Sequence, residues 1–159
     1  MNIKLICVGK LKESFFRDAV SEYSKRLTRY CKLSIIECND EKTPDNASDK
    51  ECTLIKDKEG ERILKSISDD DHVIALAIDG KKYDSVSFAK YIDRLGVCGK
   101  SNIVFVIGGS LGLSDNVIRR ADETLSFSDM TFPHQLMRII LLEQVYRSYR
   151  IINNEPYHK

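Results

Sequence analysis

The feature that most constrains the fold is an unbroken apolar run at residues 103–107, in which four of five side chains are β-branched. A run without polar alternation predicts a strand buried on both faces, as in a parallel sheet. It ends at the loop 108–112, Gly-Gly-Ser-Leu-Gly, and glycine lets a ligand approach main-chain groups closely. A second strand-like stretch ends at residues 125–128, and another loop follows at 129–133. Two such loops at the ends of buried strands predict a ligand site.

The rest of the chain alternates short apolar runs with amphipathic segments. Strands are predicted at residues 2–9, 33–38, 72–78 (closed by a turn at Asp79-Gly80) and 124–127. Helices are predicted at 14–30, from 50 through 67, from a Ser85 cap to Gly96, after Ser114, and at 134–151. Gly60 weakens the second of these helices in its middle, and the sequence leaves open whether the helix breaks there. This alternation is typical of an α/β protein with a mainly parallel sheet and flanking helices, here a single domain over residues 1–159. The segment 39–49 has no periodicity and predicts a surface loop, which we expect to be mobile.

The last predicted helix is apolar on more than one face. Its apolar positions are Leu136, Met137, Ile139, Ile140, Leu141, Leu142, Val145 and Tyr146. A helix of this kind must be buried on two sides, against its own sheet and against something else. A second subunit is the economical partner, so the sequence predicts a homodimer.

Composition is typical of a soluble globular protein without a membrane segment, and the cysteine usage predicts the cytoplasm. The chain is 42% hydrophobic and 31% charged, and neither a bilayer-spanning run nor a secretory signal is evident. Five cysteines, an odd number without C-x-x-C spacing, argue against disulfides and thiolate zinc sites and fit a reducing compartment. Cys7, inside the first predicted strand, is interpreted as a small core residue.

The net charge of +1 hides an uneven distribution. Residues 1–32 hold eight Lys or Arg against three Asp or Glu, while residues 37–71 hold six against twelve. The basic segment is interpreted either as a solvated helix face or as a contact for phosphate groups, and the sequence leaves both open.

Four familiar site types are excluded by spacing. Gly99-Lys100-Ser101 imitates a P-loop, but the required earlier glycine is Arg94 and the motif precedes a strand. Gly9 stands alone after the first strand, so a dinucleotide fingerprint is absent. The three histidines are too scattered for a metal site, and Gly-Gly-Ser-Leu-Gly lacks the G-x-S-x-G spacing of a hydrolase. No metal is expected.

Several long segments resemble one enzyme family from end to end. They are F-V-I-G-G-S-x-G-L at 105–113, L-S-F-S-x-M-T-F-P-H-Q-x-M-R at 125–138, L-x-E-Q-V-Y-R at 141–147, Tyr-His-Lys at 157–159, C-V-G-K-L-K-E at 7–13 and D-K-E-G at 57–60. In these segments the chain resembles the ribosomal RNA large subunit methyltransferase H family of SPOUT methyltransferases. The resemblance implies an α/β fold with a C-terminal trefoil knot, S-adenosylmethionine held in that knot, and an obligate homodimer. The implied reaction is methylation of N3 of a pseudouridine in large-subunit (23S) rRNA, on the assembled ribosome.

The resemblance also assigns candidate site residues. The implied cofactor pocket comprises Leu76, Gly108, Phe127, Ser128, Asp129, Met130, Thr131 and Phe132. Candidates for orienting or deprotonating the base are Tyr157, His158, Lys159, Arg138 and Glu143. The alternative interpretations are structural: a C-terminal Tyr-His-Lys is usually a frayed end, and Glu143 with Arg147 makes an ordinary i,i+4 pair.

Recognition of RNA would use the dimer surface and the shape of the ribosome. Candidate phosphate contacts are Arg147, Arg150, Lys159, Lys25, Arg26 and Arg29. Two other functions stay open: a non-catalytic RNA- or ribosome-binding dimer that keeps the pocket as a relic, and a SPOUT methyltransferase acting on tRNA. Deleting His158 and Lys159 would separate the first of these from an enzyme, because only an enzyme would lose turnover.

Overall fold

A computed structural model describes residues 1–158 and contains alternating strands and helices. In chain order they are β1 (Asn2–Val8), α1 (Ser14–Leu27), β2 (Lys32–Cys38), α2 (Asp49–Leu64), β3 (His72–Lys82), α3 (Ser85–Val97), β4 (Asn102–Ile107), α4 (Asp115–Arg120), β5 (Glu123–Ser126) and α5 (His134–Ile152). The predicted α/β class is confirmed, and most predicted elements exist within a few residues of their expected bounds.

The five strands form one parallel sheet in the order β2-β1-β4-β3-β5. The central pair is β1 and β4, in which Leu5 lies opposite Phe105 and both side chains are fully buried. The apolar run at 103–107 therefore occupies the middle of the sheet, as its lack of polar alternation predicts. All strands point the same way, so their carboxyl ends share one edge, where the loops 108–112 and 127–133 also lie.

Helices cover both faces of the sheet. Helices α1, α3 and α5 pack on one face, in a core that includes Leu27, Ile92 and Val145, while α2 and α4 pack on the other through Ile63 and Val117. Cys7 lies in the first of these cores with no exposed surface, as expected, and burial raises the pKa of its thiol to about 12. No helix within residues 1–158 is long and apolar enough to cross a membrane.

The structure corrects the predicted end of the third strand. The expected turn at Asp79-Gly80 is wrong, because β3 continues to Lys82. A bulge between Leu76 and Lys81 lets both residues pair with Leu125 of β5, so the chain contacts β5 on each side of the bulge. A Cβ on Gly80 would lie 2.8 Å from the Leu125 backbone, so only glycine fits there. The trefoil knot implied by the resemblance stays a prediction.

Helix boundaries also differ from the sequence prediction. The break left open at Gly60 does not occur: α2 is continuous, and Gly60 is buried where the helix meets Ser114. Asp84 rather than Ser85 caps α3, accepting a hydrogen bond from the Ser87 backbone N–H at 2.8 Å, and Gly96 lies inside the last turn. Helix α1 ends three residues earlier than expected, at Leu27. Ser114 does precede α4, and it caps the helix.

The contact between Gly60 and Ser114 leads to a prediction about the stability of a Gly60→Ala variant. A Cβ at Gly60 would overlap Ser114 Oγ, which caps α4, so Gly60→Ala forces the serine out of its capping position. We expect a loss of about 1–3 kcal/mol from overpacking, although alanine is the better helix former. The measurement is urea unfolding followed by circular dichroism.

Gly96→Ala is the matched control. Its Cβ would meet only the mobile end of Met1, at 2.9 Å. This substitution should therefore stabilise the protein by roughly 0.5–1 kcal/mol through helix propensity. A Gly60→Ala protein as stable as Gly96→Ala would contradict the assigned contact.

Candidate functional site

A cavity of about 710 Å³ opens at the carboxyl ends of β3, β4 and β5. Its walls are residues 76–78, 107–112, 125–128, 130–134 and Met137, so it draws on both predicted loops. The volume lies within the range of small-molecule sites, and apolar walls combined with exposed main-chain groups are typical of such sites. Ile78 and Met130 stand at this site with 52% and 74% of their surfaces exposed.

The structure brings most of the predicted cofactor residues to this cavity. Seven line it: Leu76, Gly108, Phe127, Ser128, Met130, Thr131 and Phe132. Asp129 does not line it, because its carboxylate is exposed and pairs with the ammonium of Lys82. The cofactor pocket predicted from the sequence did not include Ile78, His134 and Met137. Ile78 lies at the bulge of β3, and His134 and Met137 lie on the first turn of α5, so none of them belongs to a glycine-rich loop.

The glycine loop closes on itself. The Gly112 N–H donates to the Gly109 carbonyl at 3.1 Å, and Gly112 has a φ of +85°. A Cβ on Gly108 would lie 2.7 Å from the carbonyl carbon of Gly112, against backbone that cannot move aside. A side chain at Gly108 would therefore open the loop that forms this wall of the cavity.

Helix α2 supports the glycine loop from behind. The buried Glu59 carboxylate lies 3.1 Å from the place where a Gly109 Cβ would stand, and it accepts the Glu41 N–H at 3.0 Å. Burial raises the pKa of Glu59. The adjacent Gly60 contacts Ser114 at the far end of the same loop. The D-K-E-G segment therefore braces the cavity wall without lining it.

His134, at the start of α5, is a titratable side chain in the cavity wall. A Cβ on Gly9 would lie 3.7 Å from its Nε2, so the end of β1 borders the cavity at this point. Burial and then the positive charge of Arg138 lower the pKa of His134, against an opposing effect of Asp40. The imidazole is therefore neutral at pH 7.

Arg138, a predicted catalytic candidate, is buried beside the cavity and does not line it. Its guanidinium donates to Glu37 Oε1 at 2.7 Å, to the Gly9 carbonyl at 2.7 Å and to the Val8 carbonyl at 3.1 Å. These contacts join α5 to the ends of β1 and β2. Through these contacts Arg138 positions α5 against the ends of these two strands.

The other catalytic candidates gather farther along α5. The Glu143 carboxylate accepts hydrogen bonds from Arg147 and from the Tyr157 hydroxyl at 3.1 Å. Arg147 also approaches His158 Nδ1 at 3.3 Å, and its guanidinium lies 4.7 Å from the centre of the Tyr157 ring. Lys159 lies outside the described residues. Tyr157 and His158 therefore pack back onto α5 of the same chain.

The group formed by Glu143, Arg147, Tyr157 and His158, here called the tail cluster, does not reach the cavity of its own chain. Met137 lines the cavity, whereas Glu143 and Arg147 follow it by six and ten residues on a continuous helix. At a rise of 1.5 Å per residue these separations are about 9 and 15 Å. The structure therefore brings the cofactor candidates together and the tail candidates together, but in two separate groups.

In the tail cluster, Tyr157 is protonated at neutral pH and is therefore a hydrogen-bond donor rather than a base. Burial and the hydrogen bond to Glu143 raise the pKa of Tyr157 to about 12. The phenol therefore stays protonated at neutral pH and can act only as a hydrogen-bond donor or as packing. The imidazole of His158 is exposed and its Nε2 faces no described partner.

Most of the predicted phosphate contacts are engaged within the protein. Arg26 pairs with Glu22, while Arg29 and Arg150 both pair with Glu155. Lys25 is exposed. Among the described residues, no three His, Cys, Asp or Glu side chains are grouped so that they could hold a metal ion.

Comparison with known proteins identifies the family. A family model described as a predicted SPOUT methyltransferase matches residues 1–158. The chain belongs to the SPOUT methyltransferase family. Its SPOUT relatives include ribosomal RNA large subunit methyltransferase H 1 of Clostridium perfringens (strain SM101 / Type A), which is 64% identical. Proteins named ribosomal RNA large subunit methyltransferase H from Clostridium tetani and Clostridium kluyveri are 62% and 60% identical. Each similarity covers 100% of both chains.

The lowered pKa of His134 predicts a pH dependence of stability in this SPOUT protein. Below pH 6.5 the unfolded chain takes up a proton at this residue while the folded chain does not, so stability falls as pH decreases. His134→Asn removes this contribution. We expect the free energy of unfolding to fall less between pH 7 and pH 5.5 in the variant than in the wild type, measured by urea unfolding at each pH. Equal slopes would contradict a neutral, half-buried imidazole.

Proposed function

We propose that the chain is a homodimeric, cytoplasmic, S-adenosylmethionine-dependent enzyme that methylates N3 of a pseudouridine in large-subunit rRNA on the assembled ribosome. The observation that carries the proposal is full-length similarity, at 60–64% identity, to proteins named ribosomal RNA large subunit methyltransferase H. The cavity at the strand ends supports it independently, because a methyl-transfer enzyme needs a site for its donor.

The cavity residues fit S-adenosylmethionine. Leu76, Ile78 and Phe127 offer apolar surface to an adenine ring or to the methylene groups of the methionine chain, and the loops 108–112 and 127–133 offer main-chain donors and acceptors. Gly108 keeps side chains out of the way where the loop closes. When bound, the cofactor supplies an electrophilic methyl group on a sulfonium. The residues of this chain then have to align the base with that methyl group, and alignment can supply much of the rate.

A second protomer is proposed to complete the site. The tail cluster lies about 9 Å or more along α5 from the nearest cavity residue of its own protomer. Helix α5 also has three half-buried apolar residues, Leu136, Ile139 and Ile140, that are not part of the core cluster beneath α1, α3 and α5. Pairing of two such surfaces across a twofold axis would bury them and bring each tail toward the partner's cavity.

Roles within the tail follow from its contacts. Glu143 and Arg147 are positioning residues, because they hold the hydroxyl of Tyr157 and the ring of His158. Tyr157, with a pKa of about 12, donates a hydrogen bond and does not act as a base. His158 is proposed to contact the target base, because its ring is exposed and, among residues 1–158, only its Nδ1 has a hydrogen-bond partner. Arg138 positions α5 against β1.

The substrate assignment can be tested by transfer of labelled methyl groups. Intact ribosomes, isolated large subunits and bulk tRNA are each incubated with labelled S-adenosylmethionine, and the modified base is identified by mass spectrometry. We expect label on a large-subunit rRNA pseudouridine, and none when that position carries uridine. Label on tRNA would overturn the substrate, and donor binding without transfer to any RNA would favour the binding-protein alternative.

Complementation between two inactive variants tests the shared site. Gly108→Ala damages the cavity, because its Cβ would meet the Gly112 backbone at 2.7 Å, and His158→Ala damages the tail. If each tail serves the partner's cavity, mixed dimers contain one intact site, so mixing the two proteins should restore about a quarter of wild-type activity. Each variant alone is the control, together with its donor affinity, which should fall only in Gly108→Ala. If activity does not recover after subunit exchange, the tail and the cavity of one protomer belong to the same site, which would contradict the shared site.

A further inference from the structure

The segment that joins β1 to α1, residues 10–17, carries free cations and an exposed aromatic ring. It holds Lys10, Lys12 and Arg17 against one carboxylate, Glu13. The ammonium groups of Lys10 and Lys12 are exposed and form no ion pair within residues 1–158. Phe15 is 63% exposed, which is unusual for a phenylalanine in this protein. Cations beside an exposed aromatic face are what proteins use to bind unpaired nucleic acid, through phosphates and stacked bases.

The backbone of segment 10–17 is held in place before any ligand binds. The Leu11 N–H donates to Glu37 Oε1 at 3.3 Å. The Arg17 guanidinium donates to the carbonyls of Leu11 and Lys12. Arg138 fixes the Gly9 carbonyl immediately upstream. A surface that is already ordered loses little conformational entropy on binding, so its contacts contribute more fully to affinity.

Segment 10–17 begins at the rim of the cavity. Gly9 directly follows β1, which pairs with β4, and a Cβ on Gly9 would lie 3.7 Å from Nε2 of the cavity residue His134. Even a fully extended chain would place Phe15 within about 20 Å of Gly9. A base held at the cavity therefore has its neighbouring nucleotides within reach of Lys10, Lys12 and Phe15.

We propose that segment 10–17 is an RNA-docking surface that holds the rRNA strand beside the target nucleotide. Lys10 and Lys12 contact backbone phosphates, and the ring of Phe15 stacks on one unpaired base that flanks the target. This inference rests on the proposed function and extends it, because it assigns substrate binding to residues outside the cavity and outside the tail.

The surroundings of Phe15 favour RNA over a second protein copy. The Phe15 ring packs against the half-buried Phe16, with ring centres 4.3 Å apart, and the flanking residues Glu13, Ser14, Arg17 and Asp18 are all exposed. The apolar surface that Phe15 presents to solvent is therefore small and bordered by polar groups. The cores of protein interfaces are depleted in lysine and rich in contiguous apolar surface. Looped RNA instead presents unstacked bases to single aromatic rings, surrounded by phosphates.

The test uses the full-length protein with isolated large subunits. Dissociation constants are measured over a salt series for wild type, Phe15→Ala and the double variant Lys10→Ala/Lys12→Ala. Loss of both lysines should weaken binding and reduce the slope of log K against log salt by about 1.4, at about 0.7 per phosphate contact. Phe15→Ala should weaken binding by about 5- to 100-fold at an unchanged slope.

Two further variants separate stacking from apolar contact. Phe15→Trp keeps an aromatic face and should retain affinity, whereas Phe15→Leu keeps apolar area and should lose it. Val97→Ala and Lys100→Ala are matched controls, since both residues are exposed at the opposite edge of the sheet, near the amino end of β4. Neither control should change binding. Donor affinity should be unchanged in every variant, because none of these residues lines the cavity.

Several results would overturn the docking surface. Wild-type affinity and slope in the double variant would exclude the lysine contacts, and full affinity in Phe15→Leu would exclude stacking. A Phe15→Ala protein that dissociates into protomers in sedimentation experiments would assign the ring to a contact between copies. Failure of the proposed function is a separate result, because binding is measured without methyl transfer: a wild type that binds large subunits but methylates no rRNA would refute the reaction alone.

Discussion

The structure depends on one buried cation, Arg138. Its guanidinium is 1% exposed and joins the first turns of α5 to Glu37 of β2 and to the carbonyls that end β1. Losing Glu37 would leave the buried charge of Arg138 with only the two carbonyls as partners, and an uncompensated buried charge is strongly destabilising. The same contacts fix His134 one turn earlier and Gly9 at the cavity rim. One side chain thus sets the angle of α5, one wall of the cavity and the start of the β1–α1 connection.

Contacts from α2 and hydrogen bonds within the loops support the cavity walls. Glu59 and Gly60 of α2 contact the two ends of the glycine loop, at Gly109 and Ser114. In the second loop, Ser128 Oγ accepts the Met130 N–H at 3.0 Å. A preformed site matters for methyl transfer, since the gain in rate comes from holding two reacting atoms in line. The D-K-E-G segment, distant from the cavity in sequence, therefore serves the site through its packing.

The sequence predicted the parts of the fold that depend on local pattern. The apolar run at 103–107 and the glycines after it located the central strand and the cavity, because burial and turn chemistry are encoded within a few residues. It was incomplete or wrong where tertiary contacts override local preference. Gly60 does not break α2, since its missing side chain makes room for Ser114. Likewise Asp79-Gly80 does not end β3, because β5 pairs with the chain on both sides of the bulge. Catalytic candidates came from resemblance alone, and their separation along α5 could not be read from spacing.

The Glu143–Arg147 pair matters because the catalytic candidates lie apart from the cavity along α5. On an exposed helix face an i,i+4 ion pair contributes about 0.3–0.5 kcal/mol, but the Arg147 and Glu143 side chains are only 25% and 18% exposed. Here the pair also carries the tail: Tyr157 donates to Glu143, lies under the Arg147 guanidinium, and packs edge-on against Tyr146 with ring centres 5.0 Å apart. Contacts of these kinds contribute about 0.5–1.5 kcal/mol each, so together they order a segment that would otherwise fray. The value of the pair is positional, because it holds the exposed His158 beside α5, where the proposed dimer would bring it to the partner's cavity.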